Sequence, residues 1–326
     1  MKKIHMAILG SGNIAQTMAT TMKRMKNVQC YGVASRDLEK AKVFASEYGF
    51  KKAYGSYEEL VNDPKVELIY VATPHSHHFE HAKLCISHGK PVICEKAFTA
   101  NAKQAEELIA YAEEKGVFIT EAMWIRYMPM VASIKGMIGS GIIGDPVYLT
   151  CNLGYMIEHV QRLQDPALAG GALLDVGVYT LNFASIIFGD KIKKVTSSCT
   201  YTESGMDASN AISIVYDDGK IANIGSTMRG ISDRKGIIYG TNGYVIVENI
   251  NNFDSVKAYN AENKEIAYIK KPKQITGFEY EVQACIDALE KGQIECPQMP
   301  HKEIIRIMQM MDSLRHEWGI QFPFEQ

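Results

Sequence analysis

The feature that most constrains the fold of this chain is a glycine-rich turn near its start. The letters GSGNIA, at residues 10–15, follow a short apolar segment and open a segment with apolar residues at helical spacing. In this G-x-G-x-x-A pattern, the first glycine makes a tight turn and the second lets a ligand approach the backbone. The small third residue lets the helix pack closely on the strand.

This pattern predicts a β–α–β unit that binds the pyrophosphate of a dinucleotide, because the helix start supplies free N–H groups. A tight strand-to-helix turn without a ligand is the alternative. The predicted cofactor contacts in the turn are Gly10, Ser11, Gly12, Asn13 and Ile14.

The first third of the chain alternates between strand-like and helix-like segments. Apolar segments such as ELIYVAT and PVICE are nearly continuous, as in parallel strands covered on both faces. Asp37 and Gly49 frame one of the helices as its N-cap and its end. The repeated β–α units predict an α/β fold with a doubly wound parallel Rossmann sheet, which we place at residues 1–122.

The pattern changes in the remainder, residues 123–326. Several strand candidates are separated by turn letters such as DDG and TNG, and two helices close the chain. These segments predict a C-terminal α+β domain with an open, mostly antiparallel sheet.

Composition argues against several classes of function. The 326-residue chain has a formal net charge of −2, which gives no electrostatic case for nucleic acid or an anionic membrane. The seven cysteines are scattered and form no CxxC, which is typical of reduced thiols in a cytosol. No long apolar run suggests a membrane span. We therefore expect a cytoplasmic protein without nucleic-acid or membrane partners.

The residues after the second predicted strand bear on the choice of cofactor. An acidic residue at this place usually holds the ribose 2′-hydroxyl of NAD. Here the chain has Ser35 and Arg36, and arginine suits the 2′-phosphate of NADP through a charge-assisted contact and stacking on adenine. We therefore favour NADP. NAD is the alternative, because Asp37 follows directly and would favour NAD if its side chain turned inward.

Two further segments carry candidates for chemistry. Glu95 and Lys96 end a predicted parallel strand, where open α/β sheets bind ligands. The segment GGALLDVGVYT places Asp175 and Tyr179 four residues apart, on one face if the segment is helical. An exposed lysine and a helix with ordinary packing are the respective alternatives.

Four motifs together resemble one known family. GSGNIA, ATPHSHHFEHA, GKPVICEKA and GGALLDVGVY occur in the order seen in the Gfo/Idh/MocA family of glucose–fructose oxidoreductase and inositol 2-dehydrogenase. The resemblance covers essentially the whole chain and looks closest to the dimeric dihydrodiol dehydrogenase branch, which also contains NADP-linked xylose dehydrogenases. It implies a Rossmann domain, then a domain for substrate binding whose open sheet pairs subunits into a homodimer or higher homo-oligomer.

The resemblance also implies roles for single residues. Lys96 corresponds to the lysine of the family's E-K-P motif, and Asp175 and Tyr179 to its acid and the following tyrosine or histidine. Ala97 replaces the usual proline, so the placement of Lys96 is open. Further implied cofactor contacts are Thr73, Pro74, His75, His78 and Glu95.

Oxidation of an alcohol needs a hydride acceptor, which is the cofactor, and a base for the proton. We expect Tyr179 to be the general acid/base, Lys96 its electrostatic partner and ribose contact, and Asp175 the orienting group. The first two roles could be exchanged, because lysine can also serve as the acid/base.

Other candidates concern the substrate and a metal. Trp124 could stack on a ring and Arg126 could bind an oxygen, or both could anchor a domain junction. Arg162 is expected on a loop over the pocket. His77 and His81 have a chelating spacing, but no evident carboxylate or cysteine completes a site, so we expect no metal.

The sequence therefore predicts an NAD(P)-dependent oxidoreductase that acts on a hydroxyl or carbonyl of a small-molecule sugar, cyclic polyol or trans-dihydrodiol. The first alternative is a dinucleotide-binding regulatory protein without turnover. A further one uses NAD in a redox cycle to cleave glycosides. The intact set of Lys96, Asp175 and Tyr179 favours the dehydrogenase.

Overall fold

The computed structural model describes residues 3–325. The chain divides into two compact units, and each is built from two separate stretches. The first unit comprises the chain up to Trp124 together with Gln274–Gln309, and the second comprises Ile125–Lys273 together with the chain from Met310 onward. Residues 274–309 are predicted from the sequence to lie in the second domain, whereas here they pack with the first; the domain limits at residue 122 remain a prediction.

The first unit contains a six-stranded sheet of parallel strands in the order β3-β2-β1-β4-β5-β6. The strands are β1 (Ile4–Leu9), β2 (Val28–Ala34), β3 (Lys52–Tyr54), β4 (Leu68–Val71), β5 (Val92–Glu95) and β6 (Ile119–Ala122). Strands β4, β5 and β6 are buried along their whole length, as a sheet covered on both faces requires. The strand order reverses between β1 and β4, which is where such folds bind ligands at the carboxyl ends of the strands.

One helix of the first unit has a capping residue at each end, as the sequence predicts. The helices are α1 (Asn13–Arg24), α2 (Leu38–Tyr48), α3 (Tyr57–Val61), α4 (His75–Ser87), α5 (Ala102–Lys115) and, from the later stretch, α9 (Glu279–Glu290). Asp37 caps α2, and Gly49 ends it in the left-handed region with a φ of 78°. Both residues have the roles that the sequence predicts.

The second unit contains an eight-stranded sheet in the order β14-β13-β12-β11-β7-β10-β9-β8. Only the pairing of β7 with β10 is parallel among these described strands, and the other neighbouring pairs are antiparallel. The strands are β7 (Pro146–Gly154), β8 (Ile192–Tyr201), β9 (Asp207–Tyr216), β10 (Ile221–Thr227), β11 (Gly236–Gly240), β12 (Gly243–Glu248), β13 (Ser255–Asn260) and β14 (Glu265–Lys270).

One face of this sheet is the core of the second unit. Alternate residues of β7, among them Leu149 and Leu153, are fully buried, while Tyr148 on the opposite face is half-buried. The remaining helices are α6 (Met130–Gly139), α7 (Gln161–Gln164), α8 (Val178–Phe188) and α10 (His301–Glu317). Helix α10 begins in the later stretch of the first unit and ends in the later stretch of the second. Helix α8 packs on β7 and β10. The predicted fold class is therefore confirmed.

One helical segment is longer and more apolar than the sequence pattern led us to expect. Among the described residues, Pro166–Phe188 has the length and composition of a membrane span. However, 78% of its most apolar 18-residue stretch is buried inside the protein, because the segment packs against the eight-stranded sheet.

Candidate active site

The glycine turn leaves its backbone open where the pyrophosphate of a dinucleotide is expected. Gly10 has a φ of +106°, and a Cβ there would lie 2.9 Å from the carbonyl oxygen of Ala72, so a side chain is excluded. A Cβ on Gly12 would meet nothing within 4 Å. Gly12 precedes α1 and gives no side-chain cap, so the first N–H groups of that helix are available to a ligand.

Asp37, which follows Arg36 after the end of β2, caps helix α2. Asp37 accepts hydrogen bonds from the backbone N–H groups of Glu39 and Lys40, at 3.0 and 3.3 Å. Its carboxylate is thus engaged at the start of α2. Arg36 is exposed, and Ser35 is buried with its hydroxyl 3.3 Å from the N–H of Asp37.

His78 lies beneath the loop that carries Lys96. Its Nδ1 is 2.8 Å from the carbonyl oxygen of Ala97, and its Nε2 is 2.7 Å from that of Thr73. The ring is fully buried, and burial lowers the pKa of His78 to about 4. His78 therefore connects the end of β4 with the loop after β5 from inside the protein. Pro74 and His75 open α4 beside it, and His75 is buried.

Glu95 is the last residue of strand β5, and Lys96 follows it directly. Glu95 is buried, accepts a hydrogen bond from the hydroxyl of Tyr70, and accepts another from the backbone N–H of Lys96 at 3.1 Å. The peptide bond between Lys96 and Ala97 is cis.

Asp175 and Tyr179 lie at the start of the long helical segment of the second unit. The sequence analysis places both side chains on one face if the segment is helical; residues Leu173–Gly177 form a π-helical turn that leads into α8. A π turn adds a residue to the helical repeat and changes the direction of the side chains that it carries. Both side chains are nearly buried, with Asp175 8% and Tyr179 9% exposed.

Arg162 is the partner of Asp175. Its Nη2 lies 3.0 Å from Asp175 Oδ1, and the arginine side chain is 43% exposed while that of the aspartate is 10% exposed. The sequence predicts Arg162 on a loop near the pocket but gives no partner for it. The structure also brings in Asp207, which no sequence motif singles out: its Oδ2 accepts a hydrogen bond from the N–H of Leu173 at 2.7 Å.

Trp124 and Arg126, which follow β6 by two and four residues, have protein partners of their own. Trp124 is 8% exposed and stacks on Phe278, with ring centroids 4.5 Å apart. Arg126 donates from Nε to Asn182 at 2.5 Å and from Nη2 to Ser185 at 3.1 Å, both on α8. These contacts anchor both side chains to other parts of the protein, and a substrate role for either residue remains a prediction.

The predicted residues fall into two sets. The glycine turn, Arg36, His78 and Lys96 belong to the first unit, and Asp175, Tyr179 and Arg162 belong to the second. Among residues 3–325, no group of three or more histidine, cysteine, aspartate or glutamate side chains is arranged to hold a metal ion.

Comparison with known protein families identifies the family to which the chain belongs. Residues 4–123 match the model of an oxidoreductase family with an NAD-binding Rossmann fold, Gfo/Idh/MocA. Residues 131–246 match the model of the C-terminal domain of the same family. The chain belongs to the Gfo/Idh/MocA oxidoreductase family. The predicted family is thereby confirmed, as is an oxidoreductase with a nucleotide-binding Rossmann domain.

Individual relatives cover the full length of the chain. It is 33% identical over 324 residues to trans-1,2-dihydrobenzene-1,2-diol dehydrogenase of Xenopus tropicalis, covering 97% of this chain and 98% of the relative. It is 33% identical over 301 residues to the human enzyme of that name, covering 90% of each.

Solved structures share the fold at lower identity. KijD10, a 3-ketoreductase from Actinomadura kijaniata in complex with NADP and TDP-benzene, superposes with a TM-score of 0.89 at 20% identity, over 97% of this chain and 98% of that one. A levoglucosan dehydrogenase in complex with NADH and L-sorbose gives a TM-score of 0.86 at 16% identity, over 98% and 97% of the chains.

Proposed function

We propose that the protein is an NADP-dependent dehydrogenase for a hydroxyl or carbonyl group of a small trans-dihydrodiol, sugar or cyclic polyol. The observation that carries the proposal is the pairing of Asp175 with Arg162 beside Tyr179 at one helix start. The similarity to dihydrodiol dehydrogenases over 97% of this chain supports the substrate class, as does the L-sorbose bound to the levoglucosan dehydrogenase.

The first unit fits a nicotinamide dinucleotide. The turn at Gly10 and Gly12 has the open backbone that a pyrophosphate needs. Asp37 is used as a helix cap, while Arg36 is exposed beside it, which supports NADP rather than NAD. Ser35, Thr73, Pro74, His75, His78 and Glu95 are proposed as further residues that contact the cofactor or shape its site.

The proposed chemistry divides between the cofactor and the protein. The glycine turn of the first unit would hold the dinucleotide, and its nicotinamide would supply hydride transfer to or from the substrate carbon. Tyr179 exchanges the proton of the substrate oxygen, and the charge of Lys96 favours the ionised phenol, whose ordinary pKa is about 10. Asp175 holds the substrate hydroxyl or the lysine in place, and its ion pair with Arg162 orients it. Trp124 and Arg126 are proposed to line the substrate side.

A steady-state assay of nicotinamide absorbance tests this proposal. NADP and NAD are compared in both directions against trans-dihydrodiols, aldoses, inositols and dicarbonyls. We expect turnover with NADP to exceed that with NAD for at least one of these classes. Tight dinucleotide binding without turnover on the whole panel would favour the regulatory protein instead.

Tyr179→Phe is the sharpest variant for the proton role, because it removes only the hydroxyl. We expect kcat to fall by roughly 10²–10⁴-fold, the usual contribution of a general acid/base, with NADP binding unchanged. Tyr111→Phe, on the half-exposed face of α5, is the matched control and should behave as the parent enzyme. Near-normal turnover of Tyr179→Phe would refute the assignment.

We also propose a homodimer formed through the outward face of the eight-stranded sheet. Half-buried tyrosines of four neighbouring strands form a row on this face, with successive ring centroids 5.7, 6.2 and 5.0 Å apart. They are Tyr148, Tyr239, Tyr244 and Tyr259. A cytoplasmic location is proposed as well, supported by seven cysteines that are all free thiols.

A further inference from the structure

The helix start that carries Asp175 and Tyr179 is capped from another element. The residue before its first turn is Ala172, which has no polar side chain to offer. The N–H of Leu173 instead donates to Oδ2 of Asp207, at 2.7 Å, and Asn210 donates to the same oxygen at 2.9 Å. Asp207 is the first residue of β9. A strand of the sheet therefore satisfies a donor that the helix leaves open.

The backbone before the helix lies directly against this carboxyl group. Gly171 has a φ of +106°, and a Cβ at this position would lie 2.3 Å from Oδ1 of Asp207. On either side, Ala172 and Ala208 belong to a buried apolar cluster with Leu163 and Met228. The carboxyl group is thus enclosed, and the helix start has little room to shift while the hydrogen bond is made.

The enclosure has an electrostatic cost for the protein. Asp207 is 2% exposed, and burial raises the pKa of its carboxyl group to about 6. The hydrogen bonds from Asn210 and Leu173 and the charge of Arg315 act in the opposite direction. At neutral pH the group is largely ionised, and a carboxylate is favourable at a helix N-terminus because of the helix dipole.

We propose that Asp207 is a positioning residue, which caps the π turn of residues 173–177 and thereby fixes where Asp175 and Tyr179 stand. The inference rests on the proposed roles of those two residues. Asp175 and Tyr179 lie two and six residues beyond the capped N–H, so loss of the cap lets both move. A misplacement of about 1 Å at a reacting group can cost on the order of 100-fold in rate.

The test uses three variants of the full-length protein. Asp207→Ala removes the acceptor, whereas Asp207→Asn keeps one oxygen that can accept from Leu173 and replaces the other, with its charge, by a neutral NH₂ group. Val256→Ala, at a fully buried position of β13, is the control for loss of stability away from this helix. The readouts are kcat, KM for the alcohol substrate, the dissociation constant of NADP, and hydrogen exchange of the amides in residues 170–180.

We expect Asp207→Ala to lower kcat at least tenfold, to leave the dissociation constant of NADP within twofold, and to accelerate amide exchange around Leu173. Asp207→Asn should keep kcat within about threefold of the parent, which is the rescue that a positioning role requires. If Asp207→Ala does not fold, Asp207→Asn still decides, since a tenfold loss of kcat there contradicts the proposal. Val256→Ala should change neither kcat nor exchange at residues 170–180.

Unchanged exchange in Asp207→Ala would overturn the cap itself. A kcat within twofold of the parent, or an equal loss in Val256→Ala, would overturn the positioning role. Faster exchange in Asp207→Ala alongside normal turnover in Tyr179→Phe would show instead that the acid/base assignment of Tyr179 has failed, and the positioning role would fall with it.

Discussion

At the scale of the residue, the expected choice between NADP and NAD depends on where the side chains of two adjacent residues lie. Asp37 and Arg36 are the two candidates for the adenosine ribose, and they favour different cofactors. The structure commits the carboxylate of Asp37 to the N–H groups of Glu39 and Lys40 and leaves Arg36 exposed. A carboxylate that caps a helix is not available to a ribose hydroxyl unless the cap is given up.

Replacement of Arg36 tests its proposed contact with the 2′-phosphate. We expect Arg36→Ala to raise the KM for NADP roughly 10- to 100-fold, since a hydrogen bond to a charged group is worth about 1.5–3 kcal/mol. The KM for NAD should change less than threefold, because NAD lacks the 2′-phosphate. Arg24→Ala, an arginine at the last turn of α1, is a control for the loss of one positive charge. Equal effects of Arg36→Ala on both cofactors would contradict the assignment.

At the scale of the element, the buried carboxyl group of Asp207, which caps the helix start of the second unit, lowers the stability of the folded protein at neutral pH. The pKa of Asp207 is about 6 in the folded protein, against an ordinary value of 3.8 for an aspartate carboxyl group, so between these values the folded state binds the extra proton. The contribution of this group is therefore fully present below about pH 4 and is lost as the pH rises through about 6.

Asp207→Asn should remove this pH dependence. Relative to the parent, its free energy of unfolding should be similar near pH 4 and higher at pH 7.5, by on the order of 3 kcal/mol as the upper limit for this pKa difference. Chemical denaturation at the two pH values measures the change. Arg315, the charged group that acts on Asp207, is retained in the variant. A difference that is the same at both pH values would contradict the expectation.

Sequence patterns predicted most of the elements because most are long or strongly patterned. The three-residue β3 and the five-residue α3 escaped, since neither is long enough to show a period. The π turn escaped because its residues are as apolar as those of the α-helix that follows. Lys96, Asp175 and Tyr179 were found through motifs, while the Arg162–Asp175 pair and the cap by Asp207 join residues that chain order does not connect.

At the scale of the whole molecule, the outward face of the second sheet is the proposed interface with a second copy of the chain. Tyr244 lies within the row of tyrosines and stacks on Tyr259 at an interplanar angle of 12°. We expect Tyr244→Arg to place an unpaired charge in the proposed interface, where it would oppose association.

Light scattering after size exclusion tests this expectation. The parent should have the molar mass of two chains, and Tyr244→Arg that of one. Val43→Arg, at a 65% exposed position of α2, introduces the same charge elsewhere and should leave the mass unchanged. A parent protein with the mass of one chain would refute the proposed dimer.

The division of each unit into two stretches sets the order in which the protein can be completed during translation. Strand β6 donates a hydrogen bond from Ile119 to the carbonyl of Ile294, and Asn27 donates one to Gln283. All of Ile125–Lys273 is synthesised between these partners. The parallel sheet therefore lacks helix α9 until residues 279–290 have been synthesised, and apolar surface is exposed until then. Completion of the nucleotide-binding unit is a late event in the biogenesis of this enzyme, although its six strands are synthesised before Ile125.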